Sequence, residues 1–221
     1  MAKTLAMIHT VTGVLPLFQD LCQELMPDVK RFNIADEGLL RMVLSAGGLT
    51  PAIHRRLCED VLCAEAAGAD AVLVTCSSIS PCVDVAQKMV SIPVLKIDEP
   101  MADKAVSLGK QIVVVATAST TLKPTSQLIA DRSQIAGKKT TVEAILCEGA
   151  YDALMANDMP RHDRIVTEYL YRAMQKADVV VLAQASMARV ANAIPEAEKR
   201  VPVLSSPRMG VERTRDVISR L

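Results

Sequence analysis

Short apolar runs alternate along this chain with longer stretches in which apolar residues return every three or four positions. That rhythm predicts strand–helix units around a mostly parallel sheet. The strands it predicts are Leu5–Thr10, Val29–Ile34, Ala71–Thr75, Val94–Ile97, Ile112–Ala116, Val142–Leu146, Val179–Ala183 and Val203–Ser205. The run Val179–Leu182 reads VVVL with no polar alternation, as expected for a strand covered on both faces. Helix ends carry chemical marks. Thr50 before Pro51 reads as an N-cap and first helical residue, with Gly68 as the stop. Between them Ile53, Leu57, Val61, Leu62 and Ala66 define an apolar face. Further helices are predicted from Pro100 to Gly109, from near Pro124 to Gly137, from about Pro160 to Ala177, and from Pro207 onward.

The pattern repeats. GADAVLVTCSS followed by IPVLKIDEP has a second copy in KADVVVLAQAS followed by VPVLSSPRM. Asp70 matches Asp178, and six residues on Cys76 matches Gln184; Pro93 and Pro202 follow the Asp by 23 and 24 residues. Offsets matched over this length point to a duplicated unit. The expected architecture is therefore α/β. It has two similar Rossmann-like or flavodoxin-like lobes with parallel sheets, related by a pseudo-two-fold. Residues 1–97 with 205–221 form the first lobe and 98–204 the second. Ligands of such sheets bind beyond the carboxyl ends of the strands, so the loops at 76–80 and 184–188 would face one shared cleft.

Composition narrows the function. Lys plus Arg equals Asp plus Glu at 25 each, which gives no electrostatic pull toward nucleic acid or an anionic membrane. The aromatics are Phe18, Phe32, Tyr151, Tyr169 and Tyr171, too few for a stacking platform on single strands. The amino terminus lacks the pattern of a signal peptide, and no apolar run approaches the ~20 residues that span a bilayer. Six cysteines, at 22, 58, 63, 76, 82 and 147, have neither zinc-knuckle nor disulfide-framework spacing, so reduced thiols in the cytoplasm are expected. No GxGxxG, P-loop, GxSxG or metal-ligand cluster occurs, so no cofactor or metal is expected.

The candidate chemistry lies after the strands. In VTCSSISPC, Cys76 follows a buried strand and precedes a helix predicted near Pro81, where backbone N–H groups and a positive helix end would stabilise a thiolate. Such a thiolate can remove a proton beside a carboxylate or attack an electrophilic carbon. Ser77 and Ser78 add donors for a carboxylate or enediolate. Thr117, Ser119, Thr120 and Thr121 crowd four hydroxyls into five positions ahead of the helix expected at Pro124, more than a cap requires. Thr10 ends the first strand and is a further ligand contact, while the neighbouring His9 is either a base or a structural histidine. His54 and His162 read as surface residues, and Cys22, Cys58 and Cys63 as core or semi-buried helix residues.

GADAVLVTCSS, ATASTTLKPT and ADVVVLAQASM together resemble the aspartate/glutamate racemase superfamily, which includes hydantoin racemases and arylmalonate decarboxylase. The resemblance implies two α/β lobes with the active site between them, and catalysis without a cofactor by two cysteines working on opposite faces of a carbon. Cys76 matches the first cysteine. Gln184 stands where the second would be, and glutamine can hydrogen-bond but not exchange protons near neutral pH. By the same resemblance Thr10, Ser77, Ser78, Thr117, Ser119, Thr120, Gln184, Ala185 and Ser186 are the substrate-binding set. The expectation is a cofactor-independent isomerase of amino-acid metabolism, racemase- or epimerase-like, with a small carboxylate as substrate. A homo-oligomer is expected, with no nucleic-acid or membrane partner. The alternatives are a one-thiol decarboxylase or lyase and a non-catalytic carboxylate-binding protein.

Overall fold

A computed structural model describes residues 2–221. The chain divides into two compact units, Met1–Asp98 with Pro207–Leu221, and Glu99–Ser206.

The first unit holds β1 (Thr4–His9), α1 (Leu15–Leu25), β2 (Lys30–Ala35), α2 (Glu37–Ala46), α3 (Pro51–Ala66), β3 (Ala71–Val74), α4 (Val83–Ala86) and β4 (Val94–Lys96). Its strands lie in the order β2-β1-β3-β4, all parallel. Successive side chains of a strand point to opposite faces. Accordingly Ala6, Ile8, Val72 and Val74 pack with Leu39, Val43, Ile53, Leu57 and Val61, whereas Leu5, Met7, Ala71 and Leu73 pack with Phe18, Cys22, Val211 and Ile218. Truncating one of the Leu, Ile or Met residues among these to alanine costs about 2–5 kcal/mol.

The second unit holds α5 (Glu99–Leu108), β5 (Gln111–Ala116), α6 (Ser119–Ile135), β6 (Thr141–Leu146), α7 (Ala150–Met155), α8 (Met159–Met174), β7 (Val179–Leu182), α9 (Ala188–Ala193) and β8 (Val203–Ser205). α10 (Ser206–Ile218) follows and returns to the first unit. The second sheet has the order β6-β5-β7-β8, again parallel, the first sheet's order position for position. Val113, Val115, Val180 and Leu182 pack with Val166 and Leu170 of α8.

The repeated aspartates explain themselves here. Asp70 accepts from the Thr4 N–H at 2.8 Å, and Asp178 accepts from the Lys110 and Gln111 N–H groups at 2.8 Å each. Each aspartate stands just before the third strand of its sheet and holds the start of the first. Gly109 makes room for the second of these ties, because a Cβ there would lie 2.3 Å from the Cβ of Asp178.

Four helix expectations change. α6 begins at Ser119, so Pro124 lies inside it and Ser119, Thr120 and Thr121 form its first turn rather than a loop. Pro124 has no N–H to give the Thr120 carbonyl, which is why a proline reads as a helix start in sequence. Thr50 makes no side-chain cap bond to α3. On α3, Leu62 and Ala66 are exposed, and Cys58 and Ala64 take their place beside Ile53, Leu57 and Val61. After Pro81 there is only a single 3-10 turn, Ser80–Cys82, leading into the four residues of α4.

Candidate functional site

In the first unit the carboxyl ends of β1 and β3 bring Thr10, Cys76, Ser77 and Ser78 together. Cys76 is half-buried, and the chain turns immediately after it, with Ile79 N–H donating to the Cys76 carbonyl at 3.3 Å. Burial pushes the thiol above its ordinary value, which corrects the expectation of a thiolate near neutrality. Working against burial are the Thr10 hydroxyl, the Ser78 and Ile79 N–H groups and the Ser78 hydroxyl. The Thr10 hydroxyl is buried and satisfied by no full hydrogen bond of its own. The short 3-10 turn supplies no long helix dipole, so desolvation outweighs the amides.

The other thiols differ in kind. Burial pushes Cys82 and Cys147 up to about 12 and Cys22 to about 11, and it raises Cys58. None of those four has hydrogen-bond donors favouring its thiolate; Cys22 has only the charge of Arg31. Cys63 is exposed, not semi-buried.

His9 is fully buried between two partners, Asn33 Oδ1 at 2.9 Å from Nε2 and Thr75 Oγ1 at 2.8 Å from Nδ1, and burial lowers its pKa. Both ring nitrogens are engaged, so His9 fixes the ends of β1, β2 and β3 rather than serving as a free base. Thr12 is tied to Glu37 through its hydroxyl at 2.9 Å, which orders the loop after β1.

One residue escaped the sequence reading. Asp98, just past β4, is completely buried. Its Oδ1 accepts from Ser80 Oγ at 2.6 Å, and Oδ2 has no partner. Burial pushes this carboxyl up, opposed by the hydroxyls of Ser80 and Ser77. The signal was an acidic residue directly after a predicted strand, in IDEP.

In the second unit the carboxyl ends of β5 and β7 bring Thr117 and Gln184 together. Gln184 Oε1 accepts from Thr117 N–H at 2.6 Å, Thr117 Oγ1 at 3.0 Å and Ala118 N–H at 3.1 Å. Three donors converging on one atom fix it as the amide oxygen and turn the NH2 group away. Thr121 Oγ1 closes the same loop on the Ala118 carbonyl at 2.8 Å. Ser119 is exposed and Thr120 half-buried on the first turn of α6. Ala185 and Ser186 are half-buried in the 3-10 turn that follows Gln184.

His162 is fully buried, not superficial; Nδ1 meets Asp163 at 2.9 Å, and Asp163 in turn accepts two bonds of 2.6 Å from Arg189. His54 is half-buried with its Nδ1 unpartnered. Among the described residues no helix is long and apolar enough to cross a membrane.

The two units are similar α/β folds, each with polar residues at the carboxyl ends of its parallel strands. Residues 44–214 match the Asp/Glu/hydantoin racemase family, and the chain belongs to that family. Solved structures agree in fold. A glutamate racemase isoform from Bacillus anthracis superposes with a TM-score of 0.75 at 16% identity, over 99% of this chain and 82% of that one. The Picrophilus torridus aspartate racemase gives 0.71 at 12% identity, over 97% and 95%. The allantoin racemase from Klebsiella pneumoniae gives 0.68 at 15% identity, over 99% and 89%. No curated protein matches the chain.

Proposed function

We propose that the protein is a cofactor-independent isomerase of a small carboxylate, such as an amino-acid derivative, with Cys76 as its one proton-exchanging group. Beside the thiol, Thr10 and Ser78 supply the polar surroundings in which the carboxylate is held. The observation that carries the reading is the set of donors from Thr10, Ser78 and Ile79 around a single half-buried thiol. Cys76 thiolate takes the proton from the carbon beside the carboxylate, the enediolate charge is held by N–H and O–H donors, and the thiol returns a proton. With Cys76 as the one acid/base, exchange proceeds from one face of the carbon.

A second reading is favoured by a separate observation. A thiol pushed up by burial rests protonated, which is the form that delivers a proton to an enediolate left by loss of carbon dioxide. The protein would then be a decarboxylase or lyase using one acid. One experiment separates the two. Candidate amino acids, hydroxy acids and disubstituted malonates are incubated in deuterated water and followed by NMR and chiral chromatography. Exchange at the α-carbon without loss of carbon dioxide supports the isomerase, and a single deuterated enantiomer formed with release of carbon dioxide supports the decarboxylase. Tight retention of a carboxylate with neither outcome would support a binding protein instead.

A further inference from the structure

Asp98 is a buried carboxyl that this chemistry leaves unused. It sits where the chain leaves the first sheet, past β4, with one oxygen bonded to Ser80 and the other unpartnered. A buried oxygen without a donor weakens folding, which marks a group kept for something other than stability. Ser80 and Ser77 belong to the turn that follows Cys76, and Ser80 N–H also donates to the Ser77 carbonyl at 3.3 Å. Between those two serines lie Ser78 and Ile79, whose N–H groups favour the Cys76 thiolate. The carboxyl thus holds the Ser80 end of the short segment that carries the Ser78 and Ile79 amides past Cys76.

We infer that Asp98 is a positioning residue for Cys76, acting through Ser80 to hold the turn that carries the Ser78 and Ile79 N–H groups beside the thiol. The inference rests on the reading of Cys76 as the reacting group. The other titratable groups nearby are His9 on β1, Cys58 on α3, Cys82 ahead of α4, and Lys96 on β4 paired with Asp84 at 2.7 Å. Burial lowers His9 and raises Cys58 and Cys82.

The test is iodoacetamide labelling of the intact protein across pH, read by peptide mapping, with exposed Cys63 as internal reference. Asp98→Ala is expected to move the Cys76 midpoint up by about one pH unit, about tenfold less thiolate below the midpoint. Ser80→Ala, which leaves the carboxyl in place, should move it the same way, and Asp98→Asn, which keeps an acceptor for Ser80, should restore most of the wild-type profile. A midpoint that stays put in both alanine variants overturns the inference. So does a downward move in Asp98→Ala, the sign that loss of a nearby negative charge alone would give. If Asp98→Ala does not fold, Ser80→Ala decides by the same criterion. Labelling needs no substrate, so this outcome is independent of whether Cys76→Ser abolishes turnover, which is where the reading of Cys76 itself would fail.

Discussion

The carboxyl ends of the two sheets are built alike and chemically unlike. Thr10 follows the first strand of one sheet and Thr117 that of the other. Cys76 follows the third strand of the first sheet, as Gln184 does in the second. Both positions open a turn closed by an N–H three residues on, Ile79 to the Cys76 carbonyl at 3.3 Å and Met187 to the Gln184 carbonyl at 3.1 Å. Yet the first side chain is a thiol surrounded by donors, and the second is a carboxamide whose oxygen already holds its loop's donors. Sheet order and register duplicate the backbone faithfully. What each half can do to a proton is decided by one side chain.

The largest effect is expected from removing the thiol. Cys76→Ser should lower α-carbon exchange, or the alternative decarboxylation, by about 10²–10⁴-fold, because serine is a far weaker acid and positioned proton transfer contributes on that scale. Deuterium incorporation followed by NMR measures it, and a variant that keeps its rate ends the thiol's role. A smaller effect of opposite sign is expected from Gln184→Cys. It places a thiol beside the Thr117 and Ala118 N–H groups, so it should create or enhance two-sided racemisation, seen as both enantiomers from one by chiral chromatography. A wild-type protein that already racemises efficiently would defeat the distinction between the two ends.

The pH profile separates the roles of Cys76 more finely. As a base it must first lose its proton, so the rate should climb about tenfold per pH unit below a midpoint higher than an ordinary thiol's, because burial raises it. As an acid it is already in the working form, so the rate should be flat near neutrality and fall above that midpoint. A profile centred well below the ordinary thiol value would contradict the dominance of desolvation at Cys76.

The fold was largely legible because backbone pairing leaves a local signature. VVVL announced a strand covered on both faces, and the spacing from Asp70 to Pro93 and from Asp178 to Pro202 announced duplicated units. The start of α6 was not legible, because a proline one turn inside a helix looks like a proline at its beginning. Cys76 stood out by position, but the direction of its pKa did not, since desolvation depends on the apolar side chains that only the fold packs against it. His162 carried a readable signal that its charged neighbours hid: it shares a face with Val166 and Leu170 at four-residue spacing. Asp98 stood in plain view after β4, but only the fold puts Ser80 against it.

The smallest expected effect tests whether the duplicated backbone is held equally in the two halves. Asp178 accepts two N–H bonds at the start of β5, whereas Asp70 accepts one from Thr4 and pairs with Lys3 at 3.1 Å. Both carboxyls are held below the usual range, Asp178 by the Gln111 and Lys110 N–H groups and Asp70 by the Thr4 N–H and Lys3. A carboxyl whose folded pKa is depressed stabilises the fold above its unfolded pKa, and that contribution is lost as pH falls through the folded value. Asp178→Asn and Asp70→Asn should therefore both lower the urea midpoint at about pH 7, and each gap from wild type should close in acid. The larger loss is expected for Asp178, because two amides lose their charged acceptor while Lys3 is free to return to water. Equal losses would mean that the second amide on Asp178 adds nothing, and a gap that widens in acid would contradict the depressed carboxyls.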